Sequence, residues 1–383
     1  MIMQMPPLSS DVLPDGIRAR FVHDVNGATF HVLEAGFETP GRPLLLLIHG
    51  FPELAYSWRK VMVPLAQAGF HVIAPDVRGY GRSSGTDISY ADDLRPFNTL
   101  NRVHDMLALV MAFGYREVAA VIGHDQGSPT AGWCALVRPD VFKSVVMMSS
   151  PLRGGPESLP FNTVNKPFPK VDSVHISVDL AKLNPPRKYY MHYYATEPAN
   201  ENIWHPKQGL HAFMRAYYHM KSADWKQNKP FPLTALTATE WEKLPRYYVM
   251  DLDQGMAESV APEMPSVQAI KDCQWLTEKE LDVYCEEYSR TGFQGGLQGY
   301  RLAPVDADLA VFAGRTIDVP AMFVGGKSDW GVYQTPGLLE RLEQRLCTQY
   351  RGRVLVDGAG HWVQQEQPEE VVRVLLQFIK EAH

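Results

Sequence analysis

Val121-Ile122-Gly123-His124-Asp125-Gln126-Gly127 is the stretch on which the reading of this chain turns. Before it, residues 117–122 form a short run rich in β-branched residues; after it, residues 128–137 contain the helix-compatible Ala131-Gly132-Trp133-Cys134-Ala135-Leu136. The pattern is a strand, a sharp turn and the start of a helix. Glycines two positions before and two after a central polar residue suit a strained strand-to-helix turn, which leaves no room for side chains there. Such a turn is a nucleophile elbow. Its usual occupant is Ser, and here it is Asp125.

That substitution sets the chemistry. A carboxylate is an anion near neutral pH and attacks without a base. Displacement at a saturated carbon by Asp125 gives an ester, which water can cleave, whereas a Ser would be left as an ether. The elbow therefore points to alkyl transfer followed by ester hydrolysis. An Asp at a strand end can also simply cap the next helix, so the rest of the chain has to decide.

Outward from the elbow, strands and helices alternate. Residues 18–25 and 28–35 read as a hairpin around Asn26-Gly27. Residues 43–48, Pro-Leu-Leu-Leu-Leu-Ile, are a continuous apolar run, as in a strand covered on both faces, and lead into His49-Gly50-Phe51-Pro52. A helix at 56–68, a strand at 71–75, a helix at 100–113, the elbow strand and a strand at 142–148 follow. This is the pattern of a doubly wound, mostly parallel α/β sheet. It stops at Pro151 and resumes near Val319 with a strand at 321–325, a helix at 336–346, a strand at 353–356 and a helix at 369–382. We expect a loose arm at 1–16, a core formed by 17–151 and 316–383, and an inserted, mainly helical cap at 152–315 with helices at 209–222 and 277–291. The cap is rich in Tyr, Trp, Pro and Met, which suits a lid over an apolar pocket.

The whole chain of 383 residues is long enough for a core with one large insertion, and its 45% hydrophobic and 21% charged content is that of a globular protein. A net charge of -6 gives no reason to expect nucleic acid or an anionic membrane as partner. The four cysteines, Cys134, Cys273, Cys285 and Cys347, are scattered without metal-ligand spacing, so free thiols and no metal are expected. With no signal-like start and no apolar run long enough to span a bilayer, a cytoplasmic location is the expectation.

Two further residues complete a constellation. Asp329, in Gly325-Gly326-Lys327-Ser328-Asp329-Trp330, and His361, in Gly358-Ala359-Gly360-His361-Trp362, each follow the C-terminal end of an expected strand, as Asp125 does. Nucleophile, acid, histidine is the chain order of an α/β-hydrolase triad. Neutral His361 can deprotonate a water aimed at the ester, and Asp329 can hold the imidazole in place. The oxyanion then formed needs backbone N–H donors, expected from Phe51 and Gln126.

Together with Asp76-Val77-Arg78-Gly79-Tyr80-Gly81-Arg82-Ser83-Ser84, these motifs resemble the epoxide hydrolases of the α/β-hydrolase superfamily over about 220 residues of the core. The resemblance implies an epoxide opened to a diol, a small apolar substrate and no cofactor; a homodimer is compatible with it. It also implies two cap tyrosines that protonate the departing alkoxide. Gly292-Phe293-Gln294-Gly295-Gly296-Leu297-Gln298-Gly299-Tyr300-Arg301 is similar to the family's Gly-Phe-x-Gly-x-Leu-x-x-Tyr-Arg segment and nominates Tyr300. Tyr189-Tyr190-Met191-His192-Tyr193-Tyr194-Ala195-Thr196-Glu197-Pro198 nominates Tyr190 with one residue inserted, leaving Tyr189, Tyr193 and Tyr194 as rivals. Trp330, Trp362 and Tyr194 are expected at the pocket, the two tryptophans alternatively as shields of the Asp329 and His361 pair.

The chain departs from the family in having Gln126 where many members carry Trp, and in a longer cap, especially over 229–264. Haloalkane and haloacid dehalogenases share the Asp elbow, but the former commonly use that Trp and an Asn at the place of Phe51. A ligand receptor on the same fold is the non-catalytic rival. His124 and His49 are expected to be structural, Asp76 a strand-end support, and Arg78 and Arg82 to form ion pairs.

Overall fold

The computed structural model describes residues 5–155 and 173–382. Its frame is an eight-stranded sheet. The strands are β1 (Ile17–Val25), β2 (Ala28–Ala35), β3 (Leu44–Ile48), β4 (His71–Pro75), β5 (Ala120–His124), β6 (Val145–Met148), β9 (Ala321–Gly326) and β10 (Tyr350–Val356), in the spatial order β1-β2-β4-β3-β5-β6-β9-β10. Pairs β1 to β2 and β2 to β4 are antiparallel, and all later neighbours are parallel. Parallel strands need crossovers, and helices α1 (Arg59–Gln67), α2 (Thr99–Ala112) and α3 (Gly127–Val137) supply them. The central strands β3, β5 and β6 are buried along their whole length, which explains the unbroken apolar sequences of β3 and β6. Each such Val, Leu or Ile contributes about 1.5–3 kcal/mol on burial.

Between β6 and β9, which are neighbours in the sheet, the chain leaves it and returns. The described part of that excursion is largely helical, including Leu210–Lys221 and Glu278–Thr291. It also holds a ribbon the sequence pattern does not suggest, β7 (Arg187–Tyr189) against β8 (Val249–Asp251), three residues each. Residues 156–172 of the expected cap, and 1–4 of the expected arm, lie outside the described residues.

The excursion is tied to the turns at the C-terminal strand edge. Tyr218 and Tyr288 donate their hydroxyls to the carbonyls of Pro52 and Glu53, each at 3.0 Å. Arg59 pairs with Glu280 at 2.8 Å and Arg82 with Glu287 at 2.7 Å. Gly79 and Gly295 touch so closely that a Cβ on Gly295 would stand 2.0 Å from the Gly79 carbonyl oxygen.

Two expectations need correction. Residues 5–12 are not loose: Leu8 donates its N–H to His31, Pro6 accepts from Arg82, and Val12 accepts from Tyr56. The expected helix at 336–346 is broken into Leu338–Arg341 and a π-turn at Leu342–Leu346. Gly337, with φ of 75°, delays its start. No helix among the described residues is long and apolar enough to cross a membrane.

Candidate active site

The elbow is built as its spacing demands. Asp125 has φ of 50°, the left-handed region that a non-glycine residue occupies only under constraint. A Cβ on Gly123 would lie 2.0 Å from the Gly127 carbonyl oxygen, and one on Gly127 would lie 2.2 Å from that of Ile48. Gly50 presses on the other side, where a Cβ would reach within 2.3 Å of the Asp125 Cβ. The two chains thus close around Asp125, whose side chain keeps 15% exposure.

The carboxylate is held at both oxygens. Phe51 donates its backbone N–H to Oδ1 at 2.9 Å, and His361 Nε2 stands 3.2 Å from Oδ2. The second contact lacks hydrogen-bond alignment, and Nε2 has no other partner. Burial favours the neutral acid, but the His361 imidazole, Lys221 and His124 outweigh it and hold Asp125 well below the usual carboxylate range. Behind the imidazole, both Asp329 oxygens lie 3.2 Å from His361 Nδ1, and Asp329 also accepts the Gly331 N–H at 2.7 Å. Burial again opposes ionisation of Asp329, and His361 with the Gly331 N–H reverses it. Asp125, Asp329 and His361 therefore converge, with Phe51 beside them; Gln126 leads directly into α3.

The backbone of His361 is fixed from two sides. Its N–H donates to the Lys221 carbonyl at 2.8 Å. Its carbonyl accepts from His124 Nε2 at 2.7 Å and from the Ser149 hydroxyl at 3.2 Å. Glu366 accepts the flanking N–H groups of Gly360 and Trp362, and that of Ala223 as well. The other nitrogen of His124 lies 2.5 Å from Glu53, which also accepts from Gly50 and from the amides of Gln364 and Gln365. Glu53 and Lys221 are the residues sequence reasoning missed. The only available signal was a carboxylate immediately after His49-Gly50-Phe51-Pro52. Lys221 is buried with its ammonium among Trp362, Tyr217, Tyr248 and Tyr247, at 5.2, 5.3, 5.5 and 6.0 Å from the ring centres.

The remaining marked residues fall into structural places. His49 accepts the Val77 N–H at 3.0 Å, and Asp76 gathers His31 and the N–H of Ala55. Arg78 pairs with Asp105 at 2.6 Å.

A cavity of about 360 Å³ opens over Asp125 and Gln126, with Tyr190 and Tyr300 in its wall. Their rings are 6.2 Å apart. The Tyr190 hydroxyl lies against Gln334 and Tyr189, and of the rival tyrosines two are hydrogen-bonded away from the nucleophile. Tyr189 donates to Gln334 at 3.2 Å, Tyr193 donates to Asn202 at 2.5 Å, and Tyr194 is sealed in with its hydroxyl unpartnered. Burial, with neighbouring tyrosines and Asp125 adding to it, pushes both Tyr190 and Tyr300 well above the ordinary phenol value. They are protonated donors at neutral pH.

Trp330, Trp362 and Tyr194 are not among the residues lining this cavity. Trp362 turns inward, stacks 4.3 Å from Tyr218 and donates its indole N–H to that residue's carbonyl. Trp330 packs on Phe231, and Tyr194 supports Phe51 and Tyr300 from behind. No three His, Cys, Asp or Glu side chains among the described residues are grouped to ligate a metal ion.

The alpha/beta hydrolase fold family matches residues 43–368. The chain belongs to that family and, within it, to the epoxide hydrolases. It is 33% identical to epoxide hydrolase B of Mycobacterium tuberculosis, over 88% of this chain and 91% of that one. The solved epoxide hydrolase from an endophytic Streptomyces is 30% identical and superposes with a TM-score of 0.76 over 96% of both chains. Epoxide hydrolase A from Mycobacterium thermoresistibile is 31% identical, with a TM-score of 0.74 over 96% of this chain and 99% of that one.

Proposed function

We propose that the protein hydrolyses an epoxide to a vicinal diol through an ester on Asp125. Oδ2 attacks an oxirane carbon, the carbon–oxygen bond breaks, and Tyr190 and Tyr300 donate to the departing oxygen, one of them delivering its proton. Their high proton affinity suits this role, because an alkoxide needs a donor that is never lost to ionisation near neutrality. Water then attacks the ester carbonyl carbon as His361 Nε2 takes its proton, with Asp329 stabilising the imidazolium. The negative charge gathers on Oδ1, beside the Phe51 N–H, with Gln126 as the second backbone donor. Collapse breaks the bond from the Asp125 carbon to Oδ2, the His361 imidazolium protonates the departing oxygen to release the diol, and the second water proton restores the tyrosine, leaving a solvent oxygen in Asp125. Residues 152–315 act in this reading as a cap on the core formed by 17–151 and 316–383.

The observation that carries it is the division of labour at one carboxylate: Oδ1 is held by Phe51, Oδ2 is met by His361, and Asp125 lines the same cavity as Tyr190 and Tyr300. Single turnover in heavy-oxygen water tests it. The first diol should carry its new oxygen from Asp125, with solvent label arriving only in later turnovers. Solvent label in the first diol would rule out the ester. Turnover of haloalkanes with halide release, without diol from any epoxide, would reassign the same nucleophile to dehalogenation.

A further inference from the structure

Two residues that line the catalytic cavity each carry a buried donor with no acceptor. Arg102, on α2, is only 8% exposed, and its Nη2 is buried without a partner. The same holds for Nε2 of Gln126, the residue next to Asp125. The Arg102 guanidinium forms no hydrogen bond or ion pair among the described residues. Other buried arginines are neutralised, Arg59 by Glu280 and Arg215 by Glu278.

Arg102 and Gln126 crowd the same side of Gly299, where a Cβ would stand 2.7 Å from Nη2 and 2.4 Å from the Gln126 Oε1. Gly299 precedes Tyr300, so this pair adjoins both the nucleophile and a cap tyrosine. The carboxylates of the cavity are engaged otherwise. Asp306 accepts the Thr99 N–H and hydroxyl at 2.9 and 2.8 Å, and Asp125 is held by Phe51 and His361.

A buried cation without a counter-charge is unfavourable unless a ligand supplies one. A guanidinium beside an amide N–H is the donor set that a carboxylate fits. Resting on the epoxide hydrolase reading, we propose that the substrate is an epoxide bearing a carboxylate, docked on Arg102 and the Gln126 amide while its oxirane meets Asp125, Tyr190 and Tyr300. This narrows the apolar substrate suggested by the aromatic cap: the cavity is apolar at the tyrosines and cationic beside the nucleophile.

The test compares wild type with Arg102→Leu on two matched pairs, styrene oxide with 4-carboxystyrene oxide and 1,2-epoxybutane with 3,4-epoxybutanoate. Wild type should favour the carboxylate in at least one pair by about 10-fold or more in kcat/KM, as a charge-assisted hydrogen bond implies. The variant should lose that preference. Calorimetry with 4-vinylbenzoate, which has no oxirane to react, reads the same site without turnover, and its binding to wild type needs no variant to fold. Hydrolysis of the neutral epoxides with no carboxylate preference and no binding of 4-vinylbenzoate would overturn the carboxylate site and leave the hydrolase reading standing. Binding of 4-vinylbenzoate that weakens in Arg102→Leu, with no epoxide hydrolysed, would support the site and overturn the hydrolase reading.

Discussion

The backbone N–H of Phe51 donates to Oδ1 of Asp125 at 2.9 Å. In the proposed reaction this places the donor for the charge of ester hydrolysis on the oxygen that would carry it, and leaves Oδ2 to attack. Attack therefore precedes any need for His361 as a base. Replacing His361 by Gln should leave ester formation in place and slow its hydrolysis by roughly 100- to 10,000-fold, the usual worth of a positioned base. Intact-protein mass spectrometry should then find Asp125 carrying one substrate mass. An unmodified His361→Gln protein after incubation with a substrate of the wild type would count against the two-step order.

The two tyrosines make a separable prediction. Tyr190→Phe and Tyr300→Phe should each cut the rate of ester formation by about 10- to 1,000-fold, because each removes one donor to the developing alkoxide. Tyr193→Phe should change it less than about 3-fold, since its hydroxyl is spent on Asn202. Both cavity hydroxyls are held well above the ordinary phenol value, so ester formation should stay level through pH 9 rather than decline. Stopped-flow measurement of the first turnover in each variant decides the matter.

How the sequence anticipated the site, and where it did not, follows from the same physics. Strands such as β3 and β6 were legible because a strand buried on both faces is apolar throughout. Asp125, Asp329 and His361 were legible because the ends of such strands converge on one edge. The identity of the second tyrosine was not, since four tyrosines in six residues share composition and differ only in where each hydroxyl points. Trp330 and Trp362 adjoin Asp329 and His361 along the chain, but both are buried against other side chains and neither lines the cavity. Arg102 read as one more polar residue on an amphipathic helix capped by Asn98. Only folding shows that its side chain lines the cavity beside Gln126 and Gly299. The β7 and β8 ribbon is too short for an alternating pattern to emerge.

Glu34 links the edge of the sheet and should make stability depend on acid. Its Oε2 accepts from Arg18 and Arg20, each at 2.9 Å, its Oε1 meets His71 at 2.8 Å, and the side chain is 2% exposed. Burial opposes ionisation, but His71, Arg18 and Arg20 prevail and hold the carboxyl down to about 2. A folded value below the ordinary 4.5 means that the stabilisation is full above pH 4.5 and is lost as pH falls toward about 2. Glu34→Gln should destabilise the protein by about 1–3 kcal/mol at pH 7, the cost of hydrogen bonds to a charged group. That difference should shrink in urea titrations at pH 4 and 3.5. An equal difference at all three pH values would mean that Glu34 acts through packing instead.

The Glu53 and His124 pair joins three parts of the site, and its removal should be felt in all of them. His124 Nε2 must carry a proton, because the His361 carbonyl 2.7 Å away can only accept. Nδ1 lies 2.5 Å from Glu53, whose remaining contacts reach the Gly50 N–H beside Phe51 and the amides of Gln364 and Gln365. Burial alone would push Glu53 up and His124 down, and their mutual attraction reverses both, so the pair is ionic. Leaving one member of a buried pair unmatched typically costs about 3–5 kcal/mol. Glu53→Gln and His124→Ala should each lower the melting temperature by several degrees, and the double variant should fall short of their sum because both delete the same interaction. Kinetics add a readout that loss of stability would not produce. With the His361 carbonyl released, the hydrolytic step should slow more than ester formation, so the ester should build up in His124→Ala as it does in His361→Gln. If both steps slow equally in His124→Ala, the pair supports the fold without positioning the base.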